Sequence, residues 1–326
     1  METRRLQVLV ELARLGSMHA VADVSGTSTS TVSQQIAALA RDMGADLIEP
    51  HGRRVRLTPA GRRLAEHAVT ILAAVEQAQH DLAPGAEPSG TVRVAGFATA
   101  IRGHLLPVVT DLAVAHPRIR VLIREHEPAE ALALLAEDGT DLALTYDYNL
   151  APAAEDPTVR AIPLWTARWD LGVPAHAVAD EAADAADGGG TTAEVFARFA
   201  GHDWIVNSRN TADETVVRTL ASLAGFTPHV THQADSLDLV QGMITAGLGV
   251  GLLPRGIATS PGVRLLPLTL PHVDLRAYAV ARHGRLNWPP LALVTDLLLG
   301  RAADAGDANR PEEPDPRPPH GSDGGP

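Results

Sequence analysis

The chain has 326 residues, 45% of them hydrophobic and 20% charged, which is too long for one average domain and enough for two or three domains with sizeable cores. It contains no cysteine, which excludes disulfides, thiolate metal sites, a cysteine nucleophile and a thiol redox switch. The net charge of -12 is uneven: residues 1–63 carry an Arg excess of +3, leaving -15 for the remainder, as befits a small basic module on an acidic body. The opening Met1–Arg5 leads into a mixed segment without the apolar core and small-residue cleavage site of a signal peptide. No apolar run approaches the roughly 20 residues that span a bilayer, so cytoplasmic residence without membrane contact is expected.

In chain order, Leu6, Leu9, Val10 and Ala13 recur at helical spacing, and Gly16 and Ser17 supply a stop and a new cap. Ala20–Val24 reads as a short second helix and Ser25–Thr27 as a tight turn. Ser28 then caps a third helix to about Met43, with Val32, Ile36 and Leu39 on its buried side. Helix, turn and longer helix make a helix-turn-helix. The outer side of the third helix presents Thr29, Ser30, Thr31, Ser33, Gln34 and Gln35, short polar groups able to meet phosphates and base edges in a major groove. Leu47–Pro50 and Val55–Leu57 flank His51–Arg54 as a hairpin with Gly52 at its bend and guanidinium groups at its tip. Such a wing lays Arg on the backbone or in the minor groove. Thr58 and Pro59 open a further helix.

This order of elements resembles the LysR-type transcriptional regulators. The resemblance runs through Leu6, Gly16, Ser17, Ala20, Ser28, Ser33, Gln35, Ile36, Leu39, Gly44, Leu47, Glu49, Arg53, Arg54, Leu57, Thr58 and Gly61. It implies a winged helix-turn-helix over residues 1–58 that contacts double-stranded DNA through Ser28, Thr29, Ser30, Thr31, Ser33 and Gln34 and through wing residues Arg53, Arg54 and Arg56. Thr29 and Ser30 stand where many members have Gln and Pro, and Gln34 where Arg is usual, so base preference does not transfer from relatives.

Leu64, Ala68, Ile71, Val75, Ala78 and Leu82 follow at alternating spacings of four and three, a heptad seam on a helix from Pro59 to about Ala83. The family uses this helix for dimerisation. With two-fold symmetry each homodimer, or a tetramer of paired dimers, would read an inverted-repeat site. Packing of the same stripe against its own domain is the alternative. Pro84–Gly90 reads as a hinge, which places residues 59–88 as linker.

Residues 91–300 alternate strand and helix patterns. Thr91–Ala95, Arg120–Arg124, Asp141–Thr145, Asp203–Asn207, Val230–Gln233 and Val250–Leu253 read as strands of a mostly parallel α/β domain over residues 89–300. The family carries a two-lobed, type 2 periplasmic-binding-protein-like effector domain here, and Gly247–Pro254 matches its second-lobe signature. Crossovers near Val159–Leu164 and Val263–Leu268 would divide lobe I, 91–162 with 268–300, from lobe II, 163–267. The same glycines do not make a dinucleotide site, because Pro254 follows a strand where that fingerprint should open a helix.

In such lobes ligands lie at the carboxyl ends of strands. The expected contacts are therefore Thr99 and Ala100 after the first strand, Thr145 at the end of the third, and Asn207, Ser208 and Arg209 in lobe II. Arg209 or Arg102 would suit a carboxylate; Glu127 and Pro128 stand where many relatives offer a hydroxyl to one, and with Glu125 and Asp147 nearby a cationic group is the other option. The effector's identity does not follow from the sequence. Asp180–Gly190, acidic and Gly-ended, reads as a surface loop, and the tail 301–326 as disordered. No nucleophile elbow, phosphate loop or metal-spaced His pair occurs, so no enzyme, metal or cofactor is expected. A solute-binding protein would need a signal peptide. A ligand-independent regulator of the same fold stays open.

Overall fold

A computed structural model describes residues 2–51, 54–82, 87–178 and 190–308. Gly52 and Arg53, hinge residues 84–86, most of the acidic loop and the tail beyond 308 lie outside the described residues.

Helix α1 (Thr3–Leu15) buries Leu6, Val8, Leu9 and Leu12. Helix α2 (Met18–Ser25) starts earlier than its pattern indicated, because Ser17 Oγ caps it by accepting from the Ala20 N–H. Helix α3 (Thr29–Met43) is capped by Ser28 Oγ on the Thr31 N–H at 3.2 Å and buries Val32, Ile36 and Leu39. Strands β1 (Ile48–His51) and β2 (Arg54–Leu57) form the antiparallel wing, with Glu49 opposite Arg56. Helix α4 (Pro59–Asp81) follows. Its first turn rides on Leu47: a Cβ at Gly61 would lie 2.0 Å from the Leu47 carbonyl oxygen, so only glycine permits the approach.

The heptad stripe on α4 divides. Ala68 is fully buried in the core shared by α1, α2 and α3, and Leu64 and Ile71 pack half-buried against that core. Val75 is half-buried, while Ala78 and Leu82 are exposed. Ala68 is therefore corrected from seam residue to core residue. The four-three spacing specifies an apolar face and leaves open what covers it, and α1 covers its first half.

The C-terminal region comprises β3 (Gly90–Gly96), α5 (Ala98–Ala100), a π-helical turn over Ile101–Leu105, α6 (Leu106–Ala115), β4 (Ile119–Glu125), α7 (Pro128–Ala136) and β5 (Leu142–Tyr148). A long β6 (Val159–Pro174) leads to α8 (Thr192–Arg198), β7 (Asp203–Val206), α9 (Thr211–Leu223), β8 (His229–Gln233), α10 (Leu237–Thr245) and β9 (Val250–Pro254). The chain returns through β10 (Val263–Leu266) and β11 (Val273–Arg282) to α11 (Pro289–Ala308). Among the described residues nine strands join into one sheet, in the order β4-β3-β5-β11-β6-β9-β7-β8 with β10 beside β6. The parallel groups β4-β3-β5 and β9-β7-β8 are the two lobes, and antiparallel β6 and β11 run between them.

Three sequence expectations change here. The second crossover is β11, not 263–268; β10 pairs with Leu171–Pro174 inside lobe II. Strand β11 buries Val273, Leu275, Ala277, Ala279 and Ala281 on alternate positions, but its alanines and interleaved charges have little strand propensity to announce it. The lobe division falls within β6, where pairing passes from β11 to β9 at Trp169. Finally, α11 continues past residue 300, since Leu291, Val294, Leu298 and Ala302 form one buried stripe. Helix α4 also docks on lobe I: Thr70 Oγ1 donates to the His283 carbonyl at 3.1 Å, against Gly284 at φ 79°.

Candidate functional site

Two surfaces carry the sequence-derived candidates. On α3, Thr29, Ser30, Ser33 and Gln34 are exposed on one face opposite the buried Val32, Ile36 and Leu39. Ser28, the cap, also shares hydroxyl contacts with Ser30 at 2.7 Å and with half-buried Thr31 at 2.8 Å, so these three hydroxyls are preorganised. Arg56 Nε donates to Glu49 Oε1 at 2.7 Å across the wing, which holds that guanidinium along the hairpin. Arg54 begins β2 beside His51, which puts its backbone at the wing tip.

The second surface is a cavity of about 880 Å³ between the lobes. Lobe I contributes Thr99 and Arg102 after β3, Glu125 and Glu127 after β4, and Tyr146 of β5; lobe II contributes Asn207, Arg209, Asp213 and Asp235. Phe97, Trp169, Val206, Leu252 and Leu275 supply apolar wall. Of the sequence candidates for effector contact, Thr99, Asn207 and Arg209 line this cavity.

Ala100, Thr145 and Ser208 do not. Ala100 is fully buried in the core. Thr145 lies on the opposite face of β5: strands alternate sides, so Leu142, Leu144, Tyr146 and Tyr148 share one core, while Ala143 joins another beneath α7. Asp147 is on that opposite face too, held by Arg276 through two bonds of 2.8 and 2.9 Å, and does not reach the cleft. Ser208 is exposed and outside the lining, its hydroxyl donating to Asp235 Oδ1 at 2.6 Å.

The cleft is acidic and tightly wired. Arg209 reaches from lobe II, donating to Asp235 at 2.7 Å in its own lobe and to Glu130 of lobe I at 3.4 Å, with Glu125 at 3.7 Å. Burial opposes ionisation of Asp235, but the bonds from Ser208 and Arg209 outweigh it and hold its carboxyl below the usual range. Glu130 is held low by the Glu127 N–H that it accepts at 3.1 Å. Glu127 behaves oppositely: burial pushes its carboxyl up, against the 2.9 Å bond donated by Tyr146. Asp213, in the first turn of α9, is pushed up to about 7, chiefly by burial. Tyr148, itself fully buried, approaches closely enough to temper that rise, yet neither Tyr148 Oη nor Asp213 Oδ1 completes a hydrogen bond of acceptable geometry. Asn210 accepts the Ala212 N–H as the cap of α9, and its side chain also approaches the Tyr146 hydroxyl.

Tyr146, Asp213 and Asp235 were not among the sequence candidates. Asp213 reads from sequence as an ordinary first-turn acid after an Asn cap, and Tyr146 as a core aromatic. Only the meeting of the lobes makes them neighbours.

Comparisons with known proteins agree with this arrangement. Residues 3–62 match the family model "Bacterial regulatory helix-turn-helix protein, lysR family", and residues 85–303 match "LysR substrate binding domain". The chain is 26% identical over 280 residues to the transcriptional dual regulator GltC of Bacillus subtilis, covering 84% of this chain and 88% of that protein. It is 28% identical over 268 residues to the nitrogen assimilation regulatory protein nac of Escherichia coli, covering 80% of each. Its fold is similar to a full-length OxyR variant from Pseudomonas aeruginosa, at TM-score 0.67 and 19% identity over 91% of this chain and 94% of that one. ArgP from Mycobacterium tuberculosis gives TM-score 0.65 at 22% identity over 92% and 96%.

Proposed function

The chain belongs to the LysR family of bacterial transcriptional regulators, and from that premise we propose that α3 and the wing read an operator while the interlobe cavity binds the small molecule that controls it. The observation that carries the reading is the cavity itself, whose polar lining comes from both lobes, with Thr99 and Glu127 on one side and Arg209 and Asp213 on the other. A ligand touching both sides has a different affinity for each lobe arrangement, which is the thermodynamic requirement for control.

Base discrimination is assigned to Ser33 and Gln34 on the exposed face of α3, and phosphate contact to the hydroxyls near its N-terminus and to the wing arginines, with Arg54 at the tip. Dimerisation is assigned to the second half of α4, through Val75, Ala78 and Leu82. The protein acts as a regulator rather than an enzyme, in the cytoplasm where its operator is; among the described residues no helix is long and apolar enough to cross a membrane.

The test is a fluorescence-anisotropy titration of the full chain with duplex from upstream of its own gene, beside random duplex, with and without metabolites that raise its melting temperature. Specific, salt-dependent binding that a metabolite modulates, with the response weakened in Thr99→Val, is the expected result. Equal affinity for both duplexes at physiological salt would refute the operator reading.

A further inference from the structure

Taking the cleft as the effector site, we propose that its ligand is a small organic cation, an alkyl- or aralkylammonium, whose charged nitrogen sits between Glu127, Tyr146 and Asp213 with its apolar body toward Phe97 and Trp169. The sign of the charge comes first. The cavity wall carries Glu125, Asp235 and Asp238, with Glu127 and Asp213 able to ionise beside a cation, against Arg102 and Arg209. Arg209 cannot offer itself to an anion, since Asp235, Glu130 and Glu125 already surround it at 2.7, 3.4 and 3.7 Å. A carboxylate entering here would meet net negative charge around an arginine that is already paired.

An unsatisfied acceptor is the second observation. Asp213 Oδ1 is cut off from solvent, and the Tyr148 hydroxyl, the donor that approaches Asp213, does not complete a hydrogen bond to it of good geometry. Buried polar groups are nearly always paired, and one that is not, on the wall of a cavity, marks the place of an absent donor. Fully buried Tyr148 ends in a hydroxyl that approaches Asp213 without completing a bond of good geometry, and Asn210 approaches the Tyr146 hydroxyl in the same way. The Tyr148 hydroxyl is a donor that can turn to Asp213 once it is ionised. A primary ammonium brings three N–H donors. Asp213 Oδ1 and the Glu127 carboxylate, which accepts the Tyr146 proton at 2.9 Å, are the acceptors that face it, with the Tyr146 oxygen beside them.

The groups facing Asp213 determine the proton balance. They are Tyr146 and Tyr148 from β5, Glu127 at the start of α7 and Asp235 from the loop after β8; Arg209 acts in turn on Glu127 and Asp235, and Glu130 on Glu127. Without a cation, burial keeps Asp213 and Glu127 toward their neutral forms. An arriving ammonium ion exchanges for a carboxyl proton, which leaves to solvent, and charge in the cleft is conserved. Glu127 and Tyr146 belong to lobe I and Asp213 to lobe II, so the cation draws the lobes onto itself. Beside it, Phe97 and Trp169 offer aromatic surface to the ligand's carbon chain and a favourable quadrupole to its charge.

The experiment is isothermal titration of the full chain with butylamine, hexylamine and phenethylamine, beside pentanoate, heptanoate and hydrocinnamate and the matching alcohols. Saturable binding of amines is expected, about tenfold tighter near pH 8 than near pH 6, and weakened at least tenfold by Asp213→Asn and by Glu127→Gln. Both substitutions replace a carboxyl held toward its neutral form by an amide of the same shape, so the variants remain folded, which their unfolding transitions check. If a carboxylate or alcohol binds instead, in a manner sensitive to Thr99→Val, the choice of cation is overturned and the effector cleft stands. If no charge class binds, both readings fall. Amine binding indifferent to both acids also overturns the proposal.

Discussion

Asp213 makes a test that needs no ligand. Its carboxyl, 3.8 in an ordinary setting, is pushed up to about 7 in the folded protein, so between these values the folded state holds a proton that the unfolded chain has released. Stability from this group is fully present below the unfolded value and is lost as pH rises through the folded one. A displacement of about three units corresponds to roughly 4 kcal/mol in all. Most of the part accessible to experiment falls between about pH 5.5 and 8, where integration gives a loss of about 2 kcal/mol. For a chain of this size that lowers the melting temperature by roughly 3 °C. Asp213→Asn presents the same shape with no proton to lose. Its curve should run flatter than the wild type across this interval and lie above it near pH 8, with a smaller residual slope from Glu127, which is raised by the same burial. Thermal scans of both proteins in a series of buffers decide the matter. Parallel curves would refute the placement of Asp213 in a closed, unpaired site.

On DNA, Ser33→Ala and Gln34→Ala should each lower discrimination between operator and random duplex by about 1–3 kcal/mol in anisotropy titrations. Arg54→Ala should weaken both alike and reduce the salt slope by about one. In oligomerisation, Val75→Asp with Leu82→Asp should give folded monomers by light scattering, because Leu82 is exposed and Val75 half-buried; Ala68→Asp should instead unfold the N-terminal module, whose core holds Ala68. A persistent dimer in the first variant, or a folded second one, would overturn the division of α4. Asp141 is 3% exposed and receives Arg93 Nη2 at 2.8 Å and Arg285 Nη2 at 3.1 Å. Burial opposes its charge, yet these partners hold its carboxyl low, so its contribution is present above the unfolded value and lost as pH falls through the folded one. Asp141→Asn should cost about 3–5 kcal/mol in denaturant titrations, by stranding two guanidinium groups.

How much was legible in advance varies with the distance over which each element is decided. The caps Ser17 and Ser28, the buried stripe Val32, Ile36 and Leu39, the two wing strands and the start of α4 at Thr58 and Pro59 are signals within a few residues of one another, and all were readable. Strand β11 was not, since its alanines favour helix and its alternation becomes meaningful only between β5 and β6. The wrong choice of Thr145 over Tyr146 has the same origin. A strand pattern gives two faces, and the sequence does not say which of them meets the other lobe.

The sequence by itself determined the module order, the family resemblance, the absence of thiol chemistry and the polar face of α3, because composition, caps and periodicities are local properties of the chain. Tertiary structure alone decided that Ala68 is core, that Asp147 pairs with Arg276 away from the cleft, and that Asp213 faces Glu127 and Tyr146 inside it. Those facts depend on contacts between residues some seventy or more positions apart in most cases. What a carboxyl does is set by the dielectric and the partners around it, and both are supplied by chain segments that meet only on folding.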